Sequence, residues 1–318
     1  MIMIQNKTNF LIFLLACNFL FWQTSLFAQK ASESHLKSDI KGEIRKIFGQ
    51  VSGAMNGKEF GELPEGVQII RVKGCTGLKI CQGKLEIRVD TWADDKGLLE
   101  RFGECREMFG KRLVAAINGS FYSSRGVLGP VVSDGTLPQN IRQIPGSLSR
   151  CFVASFRATK NRQYWYLGET SVKGAELLRY GFKEKGWFNV PEIFGRIDQL
   201  LGGGGWVLRS RHDVHRESYE RQRFLFRRED QTSRHTIIAQ DSDRNLYLLV
   251  FEEGQNLHMI ARTLVKEPVF SKVKDAIFLD GGASSAIVLN QKYLVSPLYV
   301  IDKARFSAIQ VFISDAKW

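Results

Sequence analysis

One carboxylate, two glycines and two hydroxyls follow one another at Asp280-Gly281-Gly282-Ala283-Ser284-Ser285, directly after the apolar run Ala276-Ile277-Phe278-Leu279. A strand ending there would carry the Asp280 carboxyl group to the edge of a sheet. Glycines permit positive φ and close approach of backbone to a bound group. Successive N–H groups in such a turn can form a concavity suited to an anion. The same residues also fit an ordinary Gly-Gly hairpin turn, so the segment gains meaning only beside others.

Three other segments supply complementary chemistry. The apolar run Val114–Ile117 ends in Asn118-Gly119-Ser120-Phe121-Tyr122. The Asn118 amide can both donate to and accept from a sugar hydroxyl or a phosphate, and Phe121 offers a flat apolar surface for a pyranose. Ser233-Arg234-His235-Thr236 opens a second apolar run, and a guanidinium is suited to bidentate capture of phosphate. The four glycines Gly202–Gly205 precede Trp206. They do not form the GxGxxG pattern between strand and helix, so a dinucleotide site is not expected. Singly, the first two also read as a hairpin turn and a surface arginine, and the glycines as a stretch before a strand that allows close backbone approach.

Period-two alternation and short apolar runs bounded by turn residues predict strands at Gly66–Val72, Leu85–Asp90, Arg112–Ile117, Val127–Val132, Ser149–Arg157, Tyr164–Leu167, Trp206–Arg209, Thr236–Gln240, Leu246–Phe251, Ala276–Leu279, Ala286–Leu289 and Phe306–Phe312. Gly74–Gly83 reads as a turn or stapled loop. Helical spacing predicts helices over Gly97–Phe109, Val190–Leu200 and His258–Val265. Many strands with few helices indicate a mixed α+β fold, strand-rich, with a few flanking helices around a single domain. That domain is expected over residues 51–318, after a polar arm at 29–50.

The first 28 residues read as a secretory signal peptide. Lys7 is the only charge in the first 29 residues, Phe10–Phe21 is apolar apart from Asn18, and Ala28 is a small residue at the expected cleavage point. Leu14-Leu15-Ala16-Cys17 raises lipoprotein anchoring, but Leu15 fits that motif poorly and the apolar region continues past Cys17. No later segment reaches membrane-spanning length. The chain is therefore expected to be exported, periplasmic or secreted, with no transmembrane helix once mature. Loss of the leader lowers the formal charge from +12 to +12 − 1 = +11. In an exported protein this suits an anionic carbohydrate or phosphoglycan rather than nucleic acid. Cys75, Cys81, Cys105 and Cys151 allow two disulfides, with Cys75/Cys81 and Cys105/Cys151 the least demanding of three pairings.

In order and spacing, the four segments resemble the phosphodiester glycosidase family from about Gly66 to Phe312. The resemblance includes Arg88-Val89-Asp90, the Asn-Gly-x-Phe element at Asn118 and the Gly126–Gly135 hairpin. It continues through the glycines at Gly202 and the element at Arg234 to the Leu-Asp-Gly-Gly-x-Ser-Ser block at Leu279. The chain departs from the family at Ser120 and Ala283, where glycine is usual, and at His235, where threonine often follows the arginine. Thr236 lies one position on.

The resemblance implies hydrolysis of a sugar-1-phosphodiester without a cofactor. It implies Asp280, Arg234 and Asn118 as catalytic residues, and Gly119, Phe121, Gly281, Gly282, Ser284 and Ser285 as substrate-binding ones. Ordinary glycosidases use a second carboxylate, for which Asp241 and Asp134 are candidates.

Two other readings compete. Gly282-Ala283-Ser284-Ser285-Ala286 faintly matches a serine-hydrolase elbow, but every histidine (35, 212, 215, 235, 258) precedes Ser284, against the chain order that element requires. A glycan-binding protein on the same scaffold is the non-enzyme reading. Seven arginines lie between Arg209 and Arg228, a stretch expected to form a solvated helix or a lid meeting anionic polymer. Within it, His212-Asp213-Val214-His215 offers two histidines but no third ligand, so no metal is expected there.

Overall fold

The computed structural model describes residues 57–83, 85–92, 96–108, 110–123, 126–129, 131–135, 143–144, 150–159, 162–169, 197–222, 233–252, 254–298 and 307–314. The chain divides into two compact units, Met1–Glu59 and Phe60–Trp318, and the elements that position the site belong to the second. The expected signal peptide, Cys17, the polar arm and the end of the arginine-rich stretch lie outside the described residues. Among those described, no helix is long and apolar enough to cross a membrane.

The first strands are β1 (Val67–Val72), β2 (Cys75–Ile80) and β3 (Glu86–Thr91), followed by helix α1 (Leu98–Glu104). Next come β4 (Glu107–Met108), β5 (Lys111–Asn118), β6 (Tyr122–Ser123), β7 (Gly126–Leu128), β8 (Val131–Val132) and β9 (Gln143–Ile144). The long strands β10 (Cys151–Thr159), β11 (Arg162–Glu169) and β12 (Ile197–Arg209) lead into β13 (His212–Asp213) and α2 (His215–Arg221). Then β14 (His235–Asp241), β15 (Leu246–Phe251), α3 (Leu257–Lys266) and β16 (Val273–Phe278) precede the final strands. Those are β17 (Ile287–Leu289), β18 (Lys292–Val295) and β19 (Ser307–Ser314).

These strands make two large antiparallel sheets and a small third one. The first runs β1-β2-β15-β14-β16-β12-β10-β11, with β8 and β13 also paired to β12; the second runs β18-β17-β5-β19-β3, with β4 on β5. The third is β6-β7-β9, in which β7 and β9 are parallel. This is the expected mixed, strand-rich α+β fold.

Its centre is built from strands that are apolar on both faces. Every residue of β15, Leu-Tyr-Leu-Leu-Val-Phe, is buried, as expected for a strand covered on both sides. On one face, Leu257, Ile260, Ala261 and Leu264 of α3 pack with Ile237, Ala239, Leu249 and Phe251, the one-sided apolar stripe that holds a helix to a sheet. The second sheet is covered by α1, whose Leu98 and Phe102 pack with Leu113, Ala116, Val288 and Phe312.

Several sequence expectations are corrected. The helix expected over Gly97–Phe109 ends at Glu104, and Glu107–Met108 form β4, paired to β5. Gly74–Gly83 is not a stapled loop: most of it is β2, paired to β1 on one side and β15 on the other. Gly77 marks close approach within the sheet, since a Cβ there would lie 2.3 Å from the Leu248 carbonyl oxygen. The helix expected over Val190–Leu200 is contradicted at Ile197–Leu200, which begin β12 and pair with β10; the remainder lies outside the described residues. Short apolar spacing fits either period, and here pairing with a neighbouring strand decides it.

The disulfides are also absent, since Cys75, Cys81, Cys105 and Cys151 are all free thiols. Cys75 starts β2 and Cys81 follows its end, which separates them by about 20 Å at strand rise, beyond any disulfide. Burial pushes the Cys75 and Cys151 thiols well above their ordinary range, so they are inert packing groups.

Candidate active site

Three strand tips meet around Asp280. β14 and β16 are antiparallel neighbours with Ile237 opposite Phe278, so the start of β14 lies beside the end of β16. Residues 279–286 then leave the first sheet and enter the second, where Ile287 of β17 pairs with Ile117 of β5. That register brings the end of β5, and with it Asn118, to the same place. The turn is fixed from both sides. Leu279 N donates to Thr236 O (2.9 Å), Asp280 N to Gly119 O (3.2 Å), Gly282 N to Arg234 O (2.7 Å) and Asn118 N to Ala286 O (3.3 Å).

Side chains reinforce this backbone frame. Asn118 Nδ2 donates to the Asp280 carbonyl oxygen (2.8 Å), while Asn118 Oδ1 accepts from Thr236 Oγ1 (2.9 Å) and Ala286 N (3.1 Å). Thr236 Oγ1 also lies 3.1 Å from Ser285 Oγ. Asn118, Thr236 and Ser285 are all buried. Buried polar groups persist where their hydrogen bonds are made internally, and these three form one such network beneath the turn.

The two glycines after Asp280 are needed for different reasons. Gly281 has extended backbone, and a Cβ there would sit 2.7 Å from the Arg234 carbonyl oxygen. Gly282 has open space around it but φ of +68°, where side chains are disfavoured. Ser120 takes the family's glycine position without intruding on Asp280. Its hydroxyl donates to Gly202 O and its N–H to Ser307 Oγ. Gly119 could not change in the same way, because a Cβ there would lie 2.6 Å from Ser307 Oγ.

Asp280 keeps some exposed surface, but burial dominates its electrostatics. Desolvation pushes its carboxyl group up to about 7, partly offset by the Ser284 hydroxyl and the Gly281 N–H. Among the described residues, neither a cation nor a second carboxylate contributes to that shift. A carboxyl group balanced near neutrality is suited to moving a proton at physiological pH.

The other expected residues are distributed around this centre. The Arg234 carbonyl holds the turn and its Nη1 donates to Ser296 O, placing the guanidinium beside the segment after β18. Phe121 packs edge-on against Phe278 at 6.2 Å between ring centroids, joining the core beside α3. Tyr219 of α2 reaches the same Phe278 ring at 5.5 Å.

Neither candidate second carboxylate is at the site. Asp241 lies at the far end of β14, seven residues from Arg234, about 23 Å at strand rise. There it accepts from Asp243 N, Asn245 N and Asn245 Nδ2 and closes the turn into β15. Asp134 is engaged by Arg88 Nη1 and Gln199 Nε2. Ser307 and Ser296 are contributors that nothing in their sequence surroundings marked; each follows or begins an unremarkable strand.

The phosphodiester glycosidase family profile matches residues 111–308, the interval that contains all three strand tips. The chain belongs to the phosphodiester glycosidase family. No curated protein matches it in sequence. Among solved structures it is similar to the catalytic domain of zebrafish N-acetylglucosamine-1-phosphodiester alpha-N-acetylglucosaminidase, auto-inhibited by its pro-peptide. That match has a TM-score of 0.52 and 20% identity over 79% of this chain and 82% of that one. A Burkholderia pseudomallei protein matches with a TM-score of 0.53 and 10% identity over 74% of this chain and 73% of that one. Both show a shared fold. Membership of the family supports a glycosidase-type hydrolytic function.

Proposed function

We propose that the protein is an exported glycosidase that hydrolyses a sugar-1-phosphodiester in an envelope or extracellular phosphoglycan, with Asp280 as the proton-transferring carboxylate. The observation that carries this reading is the convergence of β5, β14 and β16 on one desolvated carboxyl group, whose electrostatics no second carboxylate among the described residues influences. Such a site suits a substrate whose leaving group needs little protonation, because a phosphomonoester departs as a stable anion.

In the proposed step Asp280, as carboxylate, takes a proton from water. The water oxygen bonds to C1, the C1–O bond breaks, and its electron pair leaves on the phosphate oxygen. Arg234 and the N–H groups of Gly281 and Gly282 would hold the phosphate, while Ser284 orients the Asp280 carboxylate. Asn118 and Ser285, enclosed in the network with Thr236, act by positioning the Asp280 backbone. Phe121 would support the sugar side through Phe278.

The test is release of reducing sugar from sugar-1-phosphate methyl esters, beginning with N-acetylglucosamine. For the wild-type protein kcat/KM should rise as pH climbs through about 7, since the base must be ionised. Asp280→Asn should lower it by about 10²–10⁴-fold, the usual scale for a lost general base. Unchanged turnover in that variant removes Asp280 from the mechanism. A fall in rate above pH 7 would make it the acid instead. Binding of the phosphoglycan without any sugar release would favour the glycan-binding reading.

A further inference from the structure

Asp213, His215 and His258 bring one ligand atom each to within 4.8 Å of one another. His215 Nδ1 lies 2.5 Å from Asp213 Oδ1, and His258 Nδ1 lies 2.8 Å from Asp213 Oδ2. Of the two histidines of the 212–215 segment only His215 belongs to this group, and with Asp213 it lacked a further partner in the sequence. The fold supplies it from α3, 45 residues away from Asp213.

Three separate elements present these groups, and the one that carries the carboxylate is firmly held. β13 returns from β12 through Ser210 and Arg211, at φ of 51° and 66°, the backbone of a tight two-residue hairpin. The Arg211 guanidinium then donates to the carbonyls of Val265, Phe270, Ser271 and Val273. Asp213 is thereby fixed relative to the end of α3 and the start of β16. His215 is the first residue of α2 and is buried, whereas the His258 side chain at the start of α3 is 55% exposed.

We propose that Asp213, His215 and His258 form a binding site for a late first-row divalent cation, best matched by Zn²⁺. Two imidazole nitrogens and one carboxylate oxygen are a donor set such ions select. Three protein ligands leave a fourth tetrahedral position for water. Zinc bonds of about 2.0–2.1 Å place ligand atoms roughly 3.3 Å apart in a tetrahedron. Small rotations of the exposed His258 ring and the Asp213 carboxylate open the present N···O separations to that value. A bound ion would join β13, α2 and α3 at one point, making the site a cross-link between elements rather than part of the Asp280 chemistry.

Direct titration of the untagged full chain with ZnCl₂, and with CoCl₂ as a spectroscopic probe, tests this. The expected result is one saturable equivalent per chain and a zinc-dependent rise in melting temperature. Affinity should weaken at least tenfold in His258→Ala and in Asp213→Asn, while His212→Ala binds as wild type. His258 is exposed, so its variant should remain folded, as circular dichroism would show. No saturable binding, or equal binding by wild type and both ligand variants, overturns the proposal. Activity towards sugar-1-phosphate esters should be retained in His258→Ala, which separates this site from Asp280.

Discussion

Asp280 carries a carboxyl group that folding makes harder to ionise. Its folded value is about 7 against an ordinary 3.8. Below pH 4 both folded and unfolded chains hold the proton, so the shift has no effect on stability. Between about 4 and 7 the unfolded chain gives up the proton while the folded chain keeps it, so stability falls as pH rises. Above 7 the full cost is present, at most on the order of 4 kcal/mol from the distance between the two values. Asp280→Asn removes the ionisation. Urea denaturation across a pH series should show the variant gaining on wild type from pH 4 to 8 and the two converging below pH 4. A difference that does not vary with pH would show that Asp280 titrates normally. The residue proposed to carry the chemistry is thus a source of instability, offset by the network that Asn118, Thr236 and Ser285 form beneath it.

At the scale of elements, the turn 280–286 has two glycines whose replacement should separate position from strain. A Cβ on Gly281 meets backbone, the Arg234 carbonyl oxygen, which cannot swing aside as a side-chain end can. Gly281→Ala should therefore displace the turn and reduce kcat/KM by about 10²-fold, the scale of an ångström-sized misplacement. Gly282→Ala meets nothing but must adopt positive φ, costing about 1–2 kcal/mol of stability. Its catalytic loss should be smaller. Paired kinetics and urea titrations of the two variants check this, and a Gly282→Ala defect larger than that of Gly281→Ala would count against this backbone frame.

The sequence made the tips of β5, β14 and β16 legible, because apolar runs ending in Asn118, Asp280 or opening after Arg234 combine strand periodicity with an isolated polar group. It did not make β2 legible. Gly74, Gly77 and Gly83 read as turn formers, whereas Gly77 serves close packing against Leu248 and Leu249 in the middle of a sheet. Nor could it assign Asn118 its partners. An amide at a strand end looks the same whether it faces a sugar or, as the geometry has it, a neighbouring backbone carbonyl. The group that joins Asp213 and His215 was hidden for a related reason: His258 is close only because α3 folds back over β12 and β13.

For the whole molecule, cohesion comes from two large sheets and their buried faces, with no covalent staple between the cysteines described. Cys75, Cys105 and Cys151 are buried in separate surroundings: Cys105 Sγ lies 3.6 Å from Asp90 Oδ2 and Cys151 Sγ accepts from Gln222 Nε2 at 3.4 Å. Added reductant should leave the melting temperature unchanged, and thiol labelling after denaturation without reductant should modify Cys75, Cys81, Cys105 and Cys151 alike. Protection of any pair from labelling would restore a disulfide. Burial would therefore shield the Cys75, Cys105 and Cys151 thiols from an oxidant while the chain is folded.

The passage of residues 279–286 from one sheet to the other has a consequence for how this protein can change over time. The stitches that join the two halves of the core are the same ones that hold the Asp280 carboxyl group in place. Drift that loosened the seam would weaken the core and displace the Asp280 carboxyl group together, so stability alone gives reason to keep the motif's outline.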